Sequence, residues 1–165
     1  MSKTIENLAA AFAGESQARN KYLAFAKKAD EEGLPQVARL FRAAAYAEFV
    51  HAQNHFRAMD GVLSTAENLQ AAIEGENYEV VSMYPPFIDE AGAEGNKRAK
   101  TSFTWAWEVE KEHEALYRAA LAGLNEPQED YEYYVCPVCG HTHPRSAPDK
   151  CPVCGAPGAR FEKIS

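Results

Sequence analysis

The chain has 165 residues, of which 46% are hydrophobic and 25% charged, and its formal net charge is −7. This composition is typical of a soluble globular protein with one core and a small additional module. The negative charge disfavours nucleic acid and anionic membrane as partners, and no apolar run approaches the ~20 residues of a membrane span. The N-terminal sequence MSKTIENLAAAF lacks the features of a signal peptide, so we expect a cytoplasmic protein.

Apolar residues recur with a helical period along the first 125 residues and predict four helices. The first helix should cover about 2–31, with Ser2 or Thr4 as its N-cap. Pro35 suits the first turn of the second helix, which we expect over about 35–59.

The third predicted helix begins at STAE (64–67), which has the pattern of a capping box. Prolines 85 and 86 should kink or break this helix and leave a frayed remainder to about residue 91. The sequence GAEGN (92–96) predicts a turn, and the fourth helix should follow it to about residue 124.

Glutamates interrupt the apolar stripe of every predicted helix. Two helices also carry a histidine three residues after a glutamate, a spacing that puts both side chains on one face. Glu48 follows Glu15 on the preceding predicted helix by 33 residues, and Glu110 follows Glu79 by 31 residues. The two halves of the helical region therefore look like a repeat. So many carboxylates in one core could not all stay ionised unless metal ions pair with them, and two irons would do so. The candidate ligands are Glu15, Glu48, His51, Glu76, Glu79, Glu110 and His113.

All four cysteines lie in two CPVCG repeats, at 136–140 and 151–155. Two Cys-x-x-Cys pairs separated by eleven residues are typical of a site with four thiolate ligands, which accepts iron or zinc. Beside a di-iron domain we favour iron, with a structural zinc ribbon as the alternative; recombinant protein can carry zinc at such a site. We expect the intervening loop to expose His141 and His143. The candidate ligands are Cys136, Cys139, Cys151 and Cys154.

Four segments of the chain resemble the ligand helices of the rubrerythrin family, and the CPVCG repeats resemble the rubredoxin-like tail of that family. The four segments are AFAGESQARNKY (11–22), AEFVHA (47–52), EGENYEVVSMYP (74–85) and EVEKEH (108–113). The resemblance covers nearly the whole chain.

The resemblance implies an all-α, ferritin-like four-helix bundle with a di-iron centre over residues 1–125. An acidic linker at 126–134 would lead to a rubredoxin-like iron domain at 135–165. The iron ligands implied by the family pattern are Glu15, Glu48, Glu76, Glu79, Glu110 and His113.

Three further roles follow from the same resemblance. His51 would be the ligand that one iron gains on reduction, when that iron leaves Glu79. Tyr22 and Tyr84 fall where the family has tyrosines hydrogen-bonded to ligand carboxylates and could relay protons. Plain core packing is the alternative for both tyrosines.

The activity implied by the resemblance is the reduction of hydrogen peroxide to water in oxidative stress defence. Electrons would enter at the rubredoxin-type iron and pass to the di-iron centre. The chain has no GxGxxG motif, so a separate NAD(P)H-linked reductase or a rubredoxin would be the electron donor. The alternatives are a ferroxidase or iron-handling ferritin-like protein, and a zinc-stabilised scaffold without catalysis.

The short connection between the second and third predicted helices favours a homodimer. In a ferritin-like bundle these helices run in the same direction, so the connection must cross the bundle. About five residues reach at most ~18 Å, whereas a helix of ~25 residues is about 37 Å long. We therefore expect two chains to exchange helix pairs, so that each di-iron site has ligands from both. A third helix that began near residue 74 would weaken this expectation.

Overall fold

The computed structural model describes residues 2–127 and 129–165, and the described chain divides into two compact units, one ending at Leu63 and the other beginning at Ser64. The helices are α1 (Lys3–Glu31), α2 (Pro35–Ala58), α3 (Thr65–Tyr78), α4 (Tyr84–Ala93) and α5 (Lys97–Ala122). A π-helical turn (Glu79–Met83) joins α3 to α4. The strands are β1 (Tyr133–Val135), β2 (Thr142–Pro144) and β3 (Glu162–Ile164). Within the described ranges, no helix is both long and apolar enough to cross a membrane.

The first unit is a hairpin of α1 and α2. Ser2 caps α1 as predicted, because its hydroxyl accepts a hydrogen bond from the Ile5 amide. Near the open end of the hairpin the rings of Phe12 and Phe56 stack with centroids 5.0 Å apart. Near the connection Arg42 donates a 2.7 Å hydrogen bond to Asp30. These pairs join the start of one helix to the end of the other, so the helices run antiparallel.

In the second unit α3 packs against α5, and both helices begin at side-chain caps. The predicted capping box is confirmed: the Ser64 hydroxyl accepts from the Glu67 amide, and the Glu67 carboxylate accepts from the Ser64 amide. The Asn96 side chain accepts from the Ala99 amide at the start of α5.

The prolines do not break the third helix, contrary to the prediction of a frayed end. The backbone instead widens to the π-helical turn, in which the Tyr84 amide donates to the Glu79 carbonyl. Pro85 then lies in the first turn of α4, where its fixed φ suits the helix. At the same five-residue spacing the Val80 carbonyl would need the absent Pro85 N–H, and the Trp107 indole donates to it instead, at 2.9 Å.

The C-terminal strands form an antiparallel sheet in the order β2-β1-β3. The first strand begins at Tyr133, within the segment that we predicted as linker. Beside this sheet lies a small buried core of Cys136, Cys151 and Ala156, against which Phe161 packs. The two cysteine repeats therefore also build the core of the module.

We expect Trp107→Phe to destabilise the protein by about 1–3 kcal/mol, because the Val80 carbonyl would lose its donor. Urea unfolding of the metal-free protein measures this. Trp105→Phe is the matched control, since the Trp105 indole has no hydrogen-bond partner among the described residues. Equal losses in the two variants would show that ring packing, and not the hydrogen bond, holds the π-helical turn.

Candidate metal centres

The first unit brings three predicted ligands together. Ligand atoms of Glu15 on α1 and of Glu48 and His51 on α2 lie within 4.8 Å of one another. His51 Nδ1 lies 2.9 Å from Glu48 Oε2 and 3.9 Å from Glu15 Oε1. The His51 side chain is 52% exposed, so this cluster lies on an open face of the hairpin.

The second unit repeats this geometry with Glu76 on α3 and Glu110 and His113 on α5. His113 Nδ1 lies 2.7 Å from Glu110 Oε2 and 3.9 Å from Glu76 Oε1. In both units the histidine nitrogen is thus close to the carboxylate on its own helix and 3.9 Å from the one on the helix packed against it. The predicted repeat is therefore present in space as well as in the sequence.

Several carboxyl groups crowd together in the second cluster, and this disfavours their ionisation. Burial, and then the Glu110 carboxylate, raise the pKa of Glu76 to about 7. The same two causes raise the pKa of Glu79, which occupies the first position of the π-helical turn. Burial and the nearby Glu79 carboxylate raise the pKa of the Tyr84 hydroxyl. A bound cation would stabilise the ionised form of these crowded carboxyl groups, so the residues fit a metal centre.

The outcome for the two predicted tyrosines differs. The structure brings Tyr84 to the carboxylates of the second cluster. In the first unit Tyr22 belongs to an aromatic group, with its ring centroid 6.2 Å from those of Phe25 and Phe41. A relay role for either hydroxyl stays a prediction.

The four cysteine sulfur atoms lie within 4.8 Å of one another. Two contacts link the pairs, Cys136 to Cys154 at 3.6 Å and Cys139 to Cys151 at 3.5 Å. A tetrahedral ion with bonds of about 2.3 Å to sulfur needs sulfur atoms about 3.8 Å apart, so the four side chains fit such an ion.

Backbone amides around the sulfurs favour thiolate. Burial raises the pKa of the Cys139 and Cys154 thiols, whereas at Cys151 hydrogen bonds from backbone amides and from the neighbouring thiols together outweigh burial and lower the pKa to about 7. Gly140 and Gly155, which directly follow the second cysteine of each pair, adopt φ of 86° and 77°, a backbone region that favours glycine. These turns bring the amides to the sulfur atoms.

Neither loop histidine is exposed as predicted: His143 is half-buried, and His141 is buried. Its side chain is buried against Phe161, and neither ring nitrogen has a partner among the described residues. Burial accordingly lowers the pKa of His141. Sequence reasoning also missed Thr142, whose hydroxyl lies 2.9 Å from His113 Nε2. In the sequence Thr142 is a polar residue between the two cysteine pairs, and this position gave no signal of the contact.

The helical units with their glutamate and histidine clusters, joined to a four-cysteine module, define a class of non-haem iron proteins. The rubrerythrin family model matches residues 6–121, and the model of the rubredoxin-like domain of rubrerythrin matches residues 134–162. The chain belongs to the rubrerythrin family.

Relatives in the family align over nearly the whole chain. Nigerythrin of Nitratidesulfovibrio vulgaris is 40% identical over 96% of this chain and 85% of its own length. Rubrerythrin of Porphyromonas gingivalis is 38% identical over 99% of this chain and 90% of its own length. The solved structure of nigerythrin in its fully reduced, all-ferrous state is 38% identical, with a TM-score of 0.60 over 99% of this chain and 88% of that one.

These similarities confirm the fold class, a ferritin-like helical bundle followed by a rubredoxin-like domain. They also confirm the two predicted cofactors, a di-iron centre and a rubredoxin-type iron. The chain is therefore an iron-dependent oxidoreductase.

We expect the second cluster to destabilise the metal-free protein as the pH rises from about 4.5 to 7, the range between the ordinary and the raised pKa of Glu76. Because their pKa values are raised, Glu76 and His113 hold more protons in the folded chain than in the unfolded chain, whereas buried His141 holds fewer. The contribution of the cluster to stability then falls with rising pH. Glu76→Gln should flatten this dependence and raise Tm at pH 8, by about 2–4 °C per kcal/mol relieved.

Calorimetry of the metal-free variants at several pH values measures the effect. Glu74→Gln, an exposed position on the same helix, is the control and should keep the wild-type pH dependence. A Glu76→Gln profile parallel to wild type would show that this carboxyl is not strained by its neighbours.

Proposed function

We propose that the protein is a di-iron peroxidase that reduces hydrogen peroxide to water in oxidative stress defence, in the cytoplasm. The observation that carries the proposal is the pair of matching clusters, each with two carboxylates and one imidazole, in a chain that also holds four convergent thiols. The carboxylates and imidazoles of the two clusters suit a di-iron centre that stores two electrons. The four thiols suit a single iron that carries one electron and has no coordination position open to substrate.

The ligand roles follow the clusters. Glu15 and Glu48 from the first unit, with Glu76, Glu79, Glu110 and His113 from the second, would hold the di-iron centre. His51 and Glu79 would alternate as ligands between the reduced and oxidised states. Cys136, Cys139, Cys151 and Cys154 would hold the rubredoxin-type iron.

Reduction of one peroxide to two waters needs two electrons, which a di-iron centre supplies when bound, and two protons. The Tyr84 hydroxyl lies beside the carboxylates of the second cluster, and burial raises its pKa, so it would carry a proton there and could relay one in exchange for another. Tyr22 is the corresponding candidate in the first unit. Glu79 would accept or release a proton when it is not bound to metal.

Electrons would arrive from outside the chain. We propose that residues 135–165 take them one at a time from a rubredoxin or an NAD(P)H-linked reductase, and that residues 1–125 form the domain that meets peroxide. The acidic segment 126–134 would be the linker between these parts.

Anaerobic rapid mixing tests the activity. Fully reduced, iron-loaded protein should be reoxidised quickly by hydrogen peroxide and more slowly by oxygen. Glu79→Ala should slow the peroxide reaction by about 10²-fold or more, as expected for the loss of a ligand that also handles protons. Glu74→Ala, at an exposed position on α3, should react like wild type. Faster reaction with oxygen, accompanied by growth of ferric mineral, would favour a ferroxidase.

We further propose that the di-iron centre forms in a homodimer that exchanges helix pairs. Only residues 59–64 separate α2 from α3, and they span at most about 25 Å. In parallel helices, Glu48 lies ten residues before the end of α2, and Glu76 lies eleven residues after the start of α3. For Glu48 and Glu76 of one chain to lie at the same height along the bundle axis, the connection would have to span about 32 Å, the length of these 21 helical residues.

A complementation experiment tests the exchange. One variant carries Glu15→Ala and Glu48→Ala, and the other carries Glu76→Ala and Glu110→Ala; neither should form a di-iron centre alone. Refolded together, their mixed dimers should regain one complete centre, or about a quarter of the wild-type amount if pairing is random. Two variants altered in the same helix pair are the control and should regain none. No recovery in the first mixture would show that one chain supplies all ligands.

A further inference from the structure

The rubredoxin-like module touches a candidate iron ligand directly. Thr142 lies on β2 and His113 on α5, and both belong to the second unit. Thr142 Oγ1 is 2.9 Å from His113 Nε2, while His113 Nδ1 faces Glu110 on the other side of the ring. The imidazole therefore lies between the carboxylate cluster and the module.

The Thr142 hydroxyl can take only one role in this contact. It donates its single hydrogen to the Gly140 carbonyl, at 3.2 Å. Its oxygen is then free only to accept, so the hydrogen between the two side chains must come from His113 Nε2. In the metal-free chain the Glu110 carboxylate, 2.7 Å from Nδ1, accepts a hydrogen from that nitrogen as well. A metal would replace this hydrogen, and the imidazole that keeps its hydrogen on Nε2 offers the Nδ1 lone pair to the metal.

The contact continues into the cysteine site. The Gly140 amide donates a 2.9 Å hydrogen bond to the Cys136 carbonyl, and Gly140 directly follows Cys139. A short series of hydrogen bonds thus runs from the His113 ring through the Thr142 hydroxyl to the backbone of the first cysteine pair.

We propose that Thr142 is a positioning residue that fixes His113 with its hydrogen on Nε2 and Nδ1 toward the metal. The inference rests on the proposed role of His113 as an iron ligand. Thr142 touches neither metal nor substrate, and it acts through the histidine. By the same bond it holds the module against α5 beside the cluster.

The test uses the full chain with zinc in both sites, because zinc is diamagnetic. Long-range ¹H–¹⁵N spectra of the wild type should show His113 with a metal-bound Nδ1 and a slowly exchanging hydrogen on Nε2; His113→Asn assigns the signals. Thr142→Val keeps the shape of the side chain but removes the hydroxyl, and it should lose the slow exchange. Competition with a chelator should show zinc at the carboxylate centre bound about 10–100-fold more weakly.

Thr142→Ser retains the hydroxyl and should restore both the slow exchange of the Nε2 hydrogen and the zinc affinity, which a purely packing role would not predict. Thr101→Val, at an exposed position on α5, should behave as wild type. The inference is overturned if Thr142→Val matches wild type in exchange and affinity, if the serine variant fails as valine does, or if wild-type His113 binds no zinc or carries its hydrogen on Nδ1. Neither readout involves peroxide, so a lack of peroxidase activity is a separate result.

Discussion

Repulsion among carboxylates is the constraint on which the rest of the structure depends. Each unit holds two glutamates and one histidine within a few ångströms, and in the second unit burial, together with the neighbouring Glu110 carboxylate, raises the pKa of Glu76 to about 7. Without bound cations, packing these helix faces together is unfavourable, because it buries negatively charged carboxylates beside one another. Metal binding and assembly of the helical domain are therefore linked, since the ions that complete the centre also remove the main obstacle to burying it.

The features that the sequence predicted well are local. The capping box at Ser64 and the first turn at Pro35 depend on residues within one helical turn, and the cysteine pairs carry their own turns. The glutamate and histidine clusters were also predictable, because helical periodicity and an internal repeat specify which residues share a face.

The features that the sequence did not predict depend on contacts between distant segments. In the π-helical turn the Val80 carbonyl accepts from the Trp107 indole, 27 residues later, the hydrogen bond that Pro85 cannot supply. Thr142 gains its role from His113, 29 residues earlier. His141 is buried because Phe161 from the end of the chain packs over it. None of these partners can be identified by spacing along the chain.

The π-helical turn also distinguishes the two halves of the repeat. The two units match closely in the distances around His51 and His113, yet α1 and α2 contain no such turn among the residues described. The inserted turn adds Glu79 to one half alone. A centre assembled from these halves would thus have an extra negative donor on one side, so its two metal positions would differ in charge although the ligand distances within the two halves match.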